Sequence, residues 1–136
     1  MKIKQSRSGF TLIEIIVVLI ILGVLAAIAL PNLFGNVKKS RGAEALAQMK
    51  TIQATLGACV MAHEGSAATT CTKAALGILD TDNFTYTLVT TNNATTFTIT
   101  AAGKNNLAAS DTIQITGDFA TGGYTCTASA NFGGLC

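Results

Sequence analysis

The sequence predicts an α+β fold in which a long N-terminal helix packs on a three- to four-stranded antiparallel sheet. Two observations predict the helix: residues 15–30 carry no polar side chain, and residues 33–60 carry apolar side chains mostly three and four positions apart. A third predicts the sheet, because apolar residues alternate with threonine in the last fifty residues. With 136 residues, 49% of them hydrophobic and 12% charged, the chain is one domain and not a disordered segment.

The apolar run is long enough to span a membrane. As a helix, residues 10–30 would extend roughly 30 Å, the thickness of a hydrocarbon core. A cleaved secretory signal is the main alternative. The length of the run, the carboxylate of Glu14 near its start and the absence of a small-x-small motif at residues 31–34 all count against it. The run therefore predicts a retained membrane helix.

Basic residues flank the apolar run evenly, three on each side, so the positive-inside rule does not decide the orientation (Lys2, Lys4 and Arg7 before it; Lys38, Lys39 and Arg41 after it). Without the first nine residues, six basic and seven acidic residues remain, a net charge of −1. This balance gives no general electrostatic case for nucleic acid as a partner, which stays open. A solvated helix face is the favoured interpretation of residues 38–41. Lipid headgroups, a filament interior and DNA are the alternatives.

Glu14 requires a physical explanation. An ionised side chain at the bilayer centre costs about 2.5–3.5 kcal/mol on insertion scales, and less near a helix end. Either Glu14 stays hydrated at the interface, or it pairs with a positive charge once the helix leaves lipid. A cut after Gly9 would create such a charge, the α-amine of Phe10. At ~4 Å and an effective dielectric constant near 20, the pair gains roughly 4 kcal/mol before desolvation costs.

The same residues carry a family resemblance. Lys-Gln-Ser-Arg-Ser-Gly9, followed by Phe10-Thr11-Leu12-Ile13-Glu14 and the apolar helix, resembles the class III signal of type IV prepilins and type II secretion pseudopilins. The resemblance implies the pilin fold, cleavage between Gly9 and Phe10 by a prepilin peptidase, and N-methylation of Phe10 by the same enzyme. It also implies that Glu14 pairs with the Phe10 amine of a neighbouring subunit. Pro31 should kink the helix, and the resemblance implies that residues 23–31 lose helical structure in a filament.

We therefore expect four segments along the chain. A leader, residues 1–9, precedes an apolar helix over 10–34, which forms the membrane anchor and filament core. An amphipathic continuation covers residues 35–62, and residues 63–136 form a connector and a β head. The expected strands are a hairpin around Asn92-Asn93, with strands near residues 84–89 and 97–99, and two shorter strands at residues 112–116 and 124–128. A short helix is expected near Lys73–Leu79.

All four cysteines follow the apolar helix, as expected for an oxidising compartment. Their separations of 12, 55 and 10 residues and the single histidine argue against a zinc site. Three disulfide pairings are possible. The local one, Cys59–Cys71 with Cys126–Cys136, closes two short loops, each worth roughly 2.5–3 kcal/mol. A C-terminal cysteine loop also resembles the loop that borders the variable region of many pilins.

Little in the sequence favours an enzyme or a cofactor. His63 is expected on the surface at the end of the helix, with no second histidine to assist a nucleophile. Asp80-Thr81-Asp82-Asn83 faintly resembles a calcium loop but lacks its glycine and distal glutamate, so a turn or strand entry is favoured. No metal site is expected.

The sequence thus predicts a structural subunit of a type IV pilus, polymerising into a surface filament for adhesion, motility or DNA uptake. The two cysteine pairs and the missing calcium loop favour this over the first alternative, a type II secretion pseudopilin acting as a periplasmic piston. A membrane-anchored binding module that never polymerises is the second alternative. The expected partners are further copies of the chain, the prepilin peptidase, inner-membrane lipid and an assembly machinery. The expected locations are the inner membrane before assembly and an extracellular filament after it.

Overall fold

A computed structural model describes residues 9–63, 67–90 and 96–136. Two helices, α1 (Leu12–Ala62) and α2 (Ala67–Thr70), precede four strands, β1 (Phe84–Thr90), β2 (Thr96–Gly103), β3 (Thr112–Asp118) and β4 (Tyr124–Ala128), and a 3₁₀ turn (Ala130–Phe132). The strands form one antiparallel sheet in the order β1-β2-β3-β4. The predicted α+β class and the pilin-like arrangement of a long helix on a sheet are confirmed. The chain divides into two compact units, residues 1–35 and 36–136.

In the first unit, every described residue is exposed, including the whole apolar stretch of α1. Pro31 lies inside the helix. A proline lacks the backbone N–H that a helix interior uses, so it removes one hydrogen bond from the helix. It does not end α1, which continues through it to Ala62.

In the second unit, one stripe of α1 is buried, formed by Gly42, Ala45, Met49, Ile52 and Leu56. The intervals of three and four residues between them keep these positions on one helix face. Ala45 is the first side chain of this stripe in the hydrophobic core. Leu46, which the sequence pattern placed in the stripe, is only partly buried beside it. Residues 33 and 37, which the sequence pattern assigned to the same stripe, are exposed. Burial therefore begins later along the helix than the pattern suggested.

The sheet buries one face, and its register aligns apolar side chains across neighbouring strands. Ile99 lies opposite both Leu88 and Ile115, while Ala101 lies opposite Tyr86 and Ile113. A fully buried aliphatic or aromatic side chain contributes about 1.5–3 kcal/mol relative to exposure. Burial also raises the pKa of the Tyr86 phenol, because the charged phenolate is disfavoured away from water. The hairpin turn expected at Asn92-Asn93 lies outside the described residues.

The short helix expected near residues 73–79 is wrong. The Leu76 N–H donates to the Thr72 carbonyl (3.0 Å), which closes a single turn. The N–H groups of Ile78 and Gly77 then donate to the carbonyls of Lys73 and Ala74, a Schellman arrangement. Gly77 has a φ of +63°, which glycine adopts without steric cost, so helical structure stops after one turn. A short helix forms earlier instead, at Ala67–Thr70.

One carboxylate fastens the connector to the sheet. Asp80 Oδ1 accepts hydrogen bonds from Lys73 Nζ (2.6 Å) and from the backbone N–H of Tyr86 in β1 (2.9 Å). The hydrogen bond from Lys73 and that from the Tyr86 backbone hold the pKa of Asp80 below its ordinary value. The hydrogen bond from Tyr86 therefore ties the connector to β1, and the ion pair with Lys73 holds the Asp80 carboxylate within the connector.

The C-terminal segment is fastened to both the helix and the sheet. Phe132 is fully buried, and its ring lies 5.8 Å from that of Phe84. Asp111, itself buried, accepts hydrogen bonds from Asn131 Nδ2 and from the Ala108 N–H. Against the helix, the approach is so close that a Cβ at Gly42 would lie 2.6–2.7 Å from carbon atoms of Leu135 and Phe132. The absence of a side chain at Gly42 is therefore required for this packing.

We predict that Gly42→Ala destabilises the folded head by about 1–3 kcal/mol, because the added methyl group overpacks the contact with a buried ring. Gly35→Ala is the matched control. It lies in the same helix with nothing within 4 Å of the added Cβ, and should be neutral or slightly stabilising. Denaturant unfolding of the full chain in detergent, followed by tyrosine fluorescence, measures both. Equal stability of the two variants would contradict the close packing at Gly42.

A second prediction concerns pH. Because the pKa of Asp80 is lowered in the folded state, its contribution is present above the unfolded pKa of about 3.9 and is lost as the pH falls through the folded value. Asp80→Asn should lower the free energy of unfolding by about 0.2–1 kcal/mol near neutral pH, as expected for a surface pair. The difference from the wild type should vanish toward pH 2. Asp82→Asn is the control for loss of a nearby carboxylate, and an equal effect of both variants would contradict the Lys73 pairing.

Candidate functional site: the exposed N-terminal helix and its acid

The most unusual surface of the protein is the first part of α1. Its large apolar side chains are exposed by between 43% (Ile16) and 83% (Phe10) over residues 10–34. The helix is long and apolar enough to cross a membrane, and the most apolar 18-residue stretch has no residue buried within the chain's own fold. An apolar surface of this extent is not stable in water, so it requires lipid or other protein around it.

Glu14 and Thr11 together form the start of this helix. The Glu14 N–H donates to Thr11 Oγ1 (3.3 Å), and the Thr11 N–H donates back to Glu14 Oε2 (3.2 Å). The Thr11 hydroxyl donates to the same carboxylate oxygen (3.1 Å). These reciprocal bonds are a capping box, which satisfies backbone donors that the first helical turn leaves without partners.

The capping box gives Glu14 a local role that the sequence interpretation missed. The signal was present, because a threonine followed three residues later by a glutamate before an apolar run is the signature of this motif. A carboxylate at this end also interacts favourably with the helix dipole. Glu14 is thus positioned at the start of the helix by Thr11, with its charge held close to the preceding backbone.

The two residues of the expected cleavage site precede the helix. Gly9 and Phe10 are exposed and have no regular secondary structure. A Cβ at Gly9 would contact nothing within 4 Å. Pro31, the third expected assembly residue, is also exposed. Gly9 and Phe10 therefore lie next to Thr11 and Glu14, at the same end of the apolar helix, whereas Pro31 lies about five helical turns away.

Two disulfides pair neighbouring cysteines in the second unit. Cys59 at the end of α1 is bonded to the fully buried Cys71, with a Cα–Cα distance of 5.9 Å. Cys126 of β4 is bonded to Cys136, with a Cα–Cα distance of 5.3 Å. The first bond holds the connector at the end of α1, and the second closes the C-terminal segment that packs on Gly42.

His63 is exposed at the end of α1, but it lies beside the first disulfide. Its Nδ1 atom is 3.8 Å from Cys59 Sγ and 3.1 Å from the Cys59 carbonyl oxygen. The ligand atoms of Cys59, His63 and Cys71 all lie within 4.8 Å of one another. The linear cysteine spacing did not reveal this cluster, although the interval of four residues between Cys59 and His63 on one helix face could have done so.

Residues 80–83, weighed in the sequence as a calcium loop, are engaged by other groups. Asp80 is paired with Lys73. Lys104 Nζ reaches the Thr81 carbonyl (3.5 Å), and the Asn105 side chain donates to the Asp82 carbonyl. With two lysine ammonium groups directed at this segment, the arrangement favours strand entry over cation binding.

A shallow groove of about 490 Å³ lies on the outer side of α1 in the second unit, beside the β3–β4 turn. Met61 and Phe119 are its large apolar side chains; the lining residues are Lys50, Gln53, Ala54, Gly57, Ala58, Met61 and Phe119. Phe119 stacks on Phe97 (4.5 Å between ring centroids), and Lys50 Nζ lies 3.8 Å above the Tyr124 ring. Its apolar lining suits contact with another protein surface.

The N-terminal segment is similar to a known family of sequences. Residues 4–30 match the prokaryotic N-terminal methylation motif, which includes Gly9, Phe10 and Glu14. The chain carries a prepilin-type N-terminal segment. The resemblance to type IV pilins and secretion pseudopilins is thereby confirmed for this segment, and the α+β architecture described above is pilin-like.

Several curated relatives carry the name type II secretion system core protein G. The chain is 42% identical to the Aeromonas hydrophila protein over 53 residues and 39% identical to the Escherichia coli K12 protein over 56 residues. It is 46% identical to the Pectobacterium carotovorum protein over 50 residues. These stretches cover 39%, 41% and 37% of this chain, and 37%, 39% and 32% of the respective relatives. The match therefore spans less than two fifths of each relative.

Proposed function

We propose that the protein is a pseudopilin, a structural subunit that polymerises through its N-terminal helix in a type II secretion system. The observation that carries this proposal is the exposed apolar first part of α1, with a single acid in its first turn. In this proposal residues 1–9 are a leader, residues 10–34 anchor the precursor in the inner membrane, and residues 35–136 form the rest of the mature subunit. A prepilin peptidase cuts between Gly9 and Phe10 and methylates the new amine.

The exposed helix supplies the energetic logic of assembly. In the membrane, lipid chains cover its side chains; in a filament, the helices of neighbouring copies cover them instead. Because lipid is as apolar as these side chains, the exchange gains little from the hydrophobic effect, and dense packing and polar contacts must favour the filament. Glu14 is the acidic residue in the first turn of α1, so it is the natural source of such a polar contact.

Cleavage changes what surrounds the Glu14 carboxylate. In the precursor, the carboxylate caps the helix through the Thr11 N–H. After a cut at Gly9, the Phe10 nitrogen becomes an ammonium group one residue before Thr11. Glu14 can then pair with the amine of a neighbouring copy while Thr11 keeps the carboxylate at the helix start. We propose that this pair sets the axial register between subunits.

The secretion role is preferred over the surface pilus because the relatives above are named as secretion proteins. A pseudopilus is periplasmic, so the mature subunit would stay within the cell envelope. The surface pilus is the second candidate, favoured by the Cys126–Cys136 loop, which resembles the C-terminal loop of many pilins. Both candidates share the same processing and the same mode of assembly.

We predict that Glu14→Gln and Glu14→Ala both leave membrane insertion intact and reduce filament yield at least about tenfold. Glutamine can still accept the capping hydrogen bond but cannot pair as an anion with an amine. Thr11→Val is the matched control, because it removes the hydroxyl that accepts the Glu14 N–H and keeps both the Glu14 charge and the Thr11 backbone N–H. Membrane fractionation and electron microscopy of filaments after overexpression measure the two steps.

The three variants separate the two roles of Glu14. Assembly by Glu14→Gln at the wild-type level would contradict charge pairing and leave capping as its role. Loss of assembly in Thr11→Val, with normal assembly by Glu14→Gln, would likewise contradict charge pairing. Loss in both glutamate variants, with Thr11→Val assembling, supports the pairing.

Deletion of the gene tests the choice between secretion and pilus. We expect the deletion strain to retain proteins in the periplasm that the parent strain releases into the medium, and to keep any surface pili. Mass spectrometry of the culture medium and electron microscopy of intact cells measure these outcomes. Loss of surface filaments with unchanged secretion would overturn the secretion role and establish the pilus.

A further inference from the structure

Cys59, His63 and Cys71 form a cluster of metal-ligating side chains at the end of α1, and the proposed filament assembly does not involve them. Cys59 and Cys71 form a disulfide here, but every chain is synthesised with its cysteines as thiols, so a dithiol form precedes it. In the disulfide form the two sulfur atoms and a ring nitrogen of His63 all lie within 4.8 Å of one another, so the fold brings two thiols and an imidazole together when the bond is absent. We propose that the dithiol form binds one Zn²⁺ through Cys59, His63 and Cys71.

The distances suit zinc. Tetrahedral zinc holds sulfur at about 2.3 Å and nitrogen at about 2.0–2.1 Å, which places these two ligand atoms about 3.6 Å apart. Cys59 Sγ and His63 Nδ1 are already 3.8 Å apart. In the dithiol form the two sulfur atoms are no longer bonded, and rotation about each Cα–Cβ bond moves them to the separation that zinc requires. The fourth position is left to water, as in other three-ligand zinc sites.

The surroundings favour a cation. The site lies at the C-terminal end of α1, where the helix dipole is negative, and the last turn of the helix has no basic residue. Cys71 is fully buried, so its thiolate needs a positive partner, and His63 is exposed, which gives a metal ion an entry path.

Binding deprotonates the two thiols and fixes the tautomer of the histidine. The two thiols release two protons as their thiolates bind the metal. His63 carries its proton on Nε2, so that the Nδ1 lone pair binds zinc and its contact with the Cys59 carbonyl is given up. Formation of the disulfide, by exchange with a disulfide donor, removes two of the three ligands and therefore releases the ion. Zinc binding and the disulfide are mutually exclusive.

The direct test uses the full mature chain in detergent, reduced anaerobically with a phosphine. In the Cys126→Ser/Cys136→Ser background, only Cys59 and Cys71 are thiols. We expect one Zn²⁺ per chain, and with Co²⁺ as a probe the near-ultraviolet absorption of thiolate-to-cobalt charge transfer. Adding His63→Gln should weaken binding at least about tenfold, and the oxidised protein should bind no ion at this site.

Cys59→Ser/Cys71→Ser is the matched control, because it retains a cysteine pair of similar spacing without the histidine. Binding by this control as tight as by the first background would overturn the proposal, as would unchanged affinity in His63→Gln.

A second measurement needs no variant. During oxidation of the reduced wild-type chain, Zn²⁺ should slow formation of the Cys59–Cys71 bond at least about tenfold more than that of Cys126–Cys136, as read by peptide mapping. Equal slowing of both disulfides would overturn the proposal. The zinc site is independent of the filament role, so its failure would leave the proposed function unaffected.

Discussion

The constraint on which the protein depends is the exposure of an apolar helix surface that water cannot solvate. Every described side chain between residues 9 and 35 faces outward, and most are large aliphatic groups. A chain with such a segment must be covered by lipid or by other protein. The second unit, by contrast, buries its own apolar stripe and sheet face.

Helix α1 takes part in both units, and the pattern of its apolar side chains changes between them. Up to Pro31 it is apolar all round, which suits surroundings that are apolar on every side. From Gly42 onward the buried positions recur at intervals of three and four, which suits one sheet on one side. Other elements approach this part of the helix closely: a Cβ at Gly42 would clash with the C-terminal segment, and one at Gly57 would lie 3.1 Å from Phe119.

Long periodic segments were predictable from the sequence, and short irregular ones were not. The helix ended at the expected Ala62, and β4 occupied the expected residues 124–128. Lys73–Leu79 was predicted wrongly because its apolar residues suggest a helix, while Gly77 adopts a positive φ and ends it after one turn. Asp80 could not have been foreseen as a fastening point, since its partners are a lysine seven residues away and a backbone N–H in β1.

The candidate site shows why sequence and geometry must be considered together. Glu14 stands out in the sequence because a carboxylate is costly in a membrane segment, yet the cost argument alone does not say what it does. The hydrogen bonds with Thr11 show that the carboxylate has a use before any partner arrives. Since the cap holds the acid near the residue that cleavage would turn into an amine, one side chain can stabilise the precursor's helix and then select its neighbour. The proposed second use of this capping residue after processing would explain why an acid, and not a neutral cap, belongs at this position.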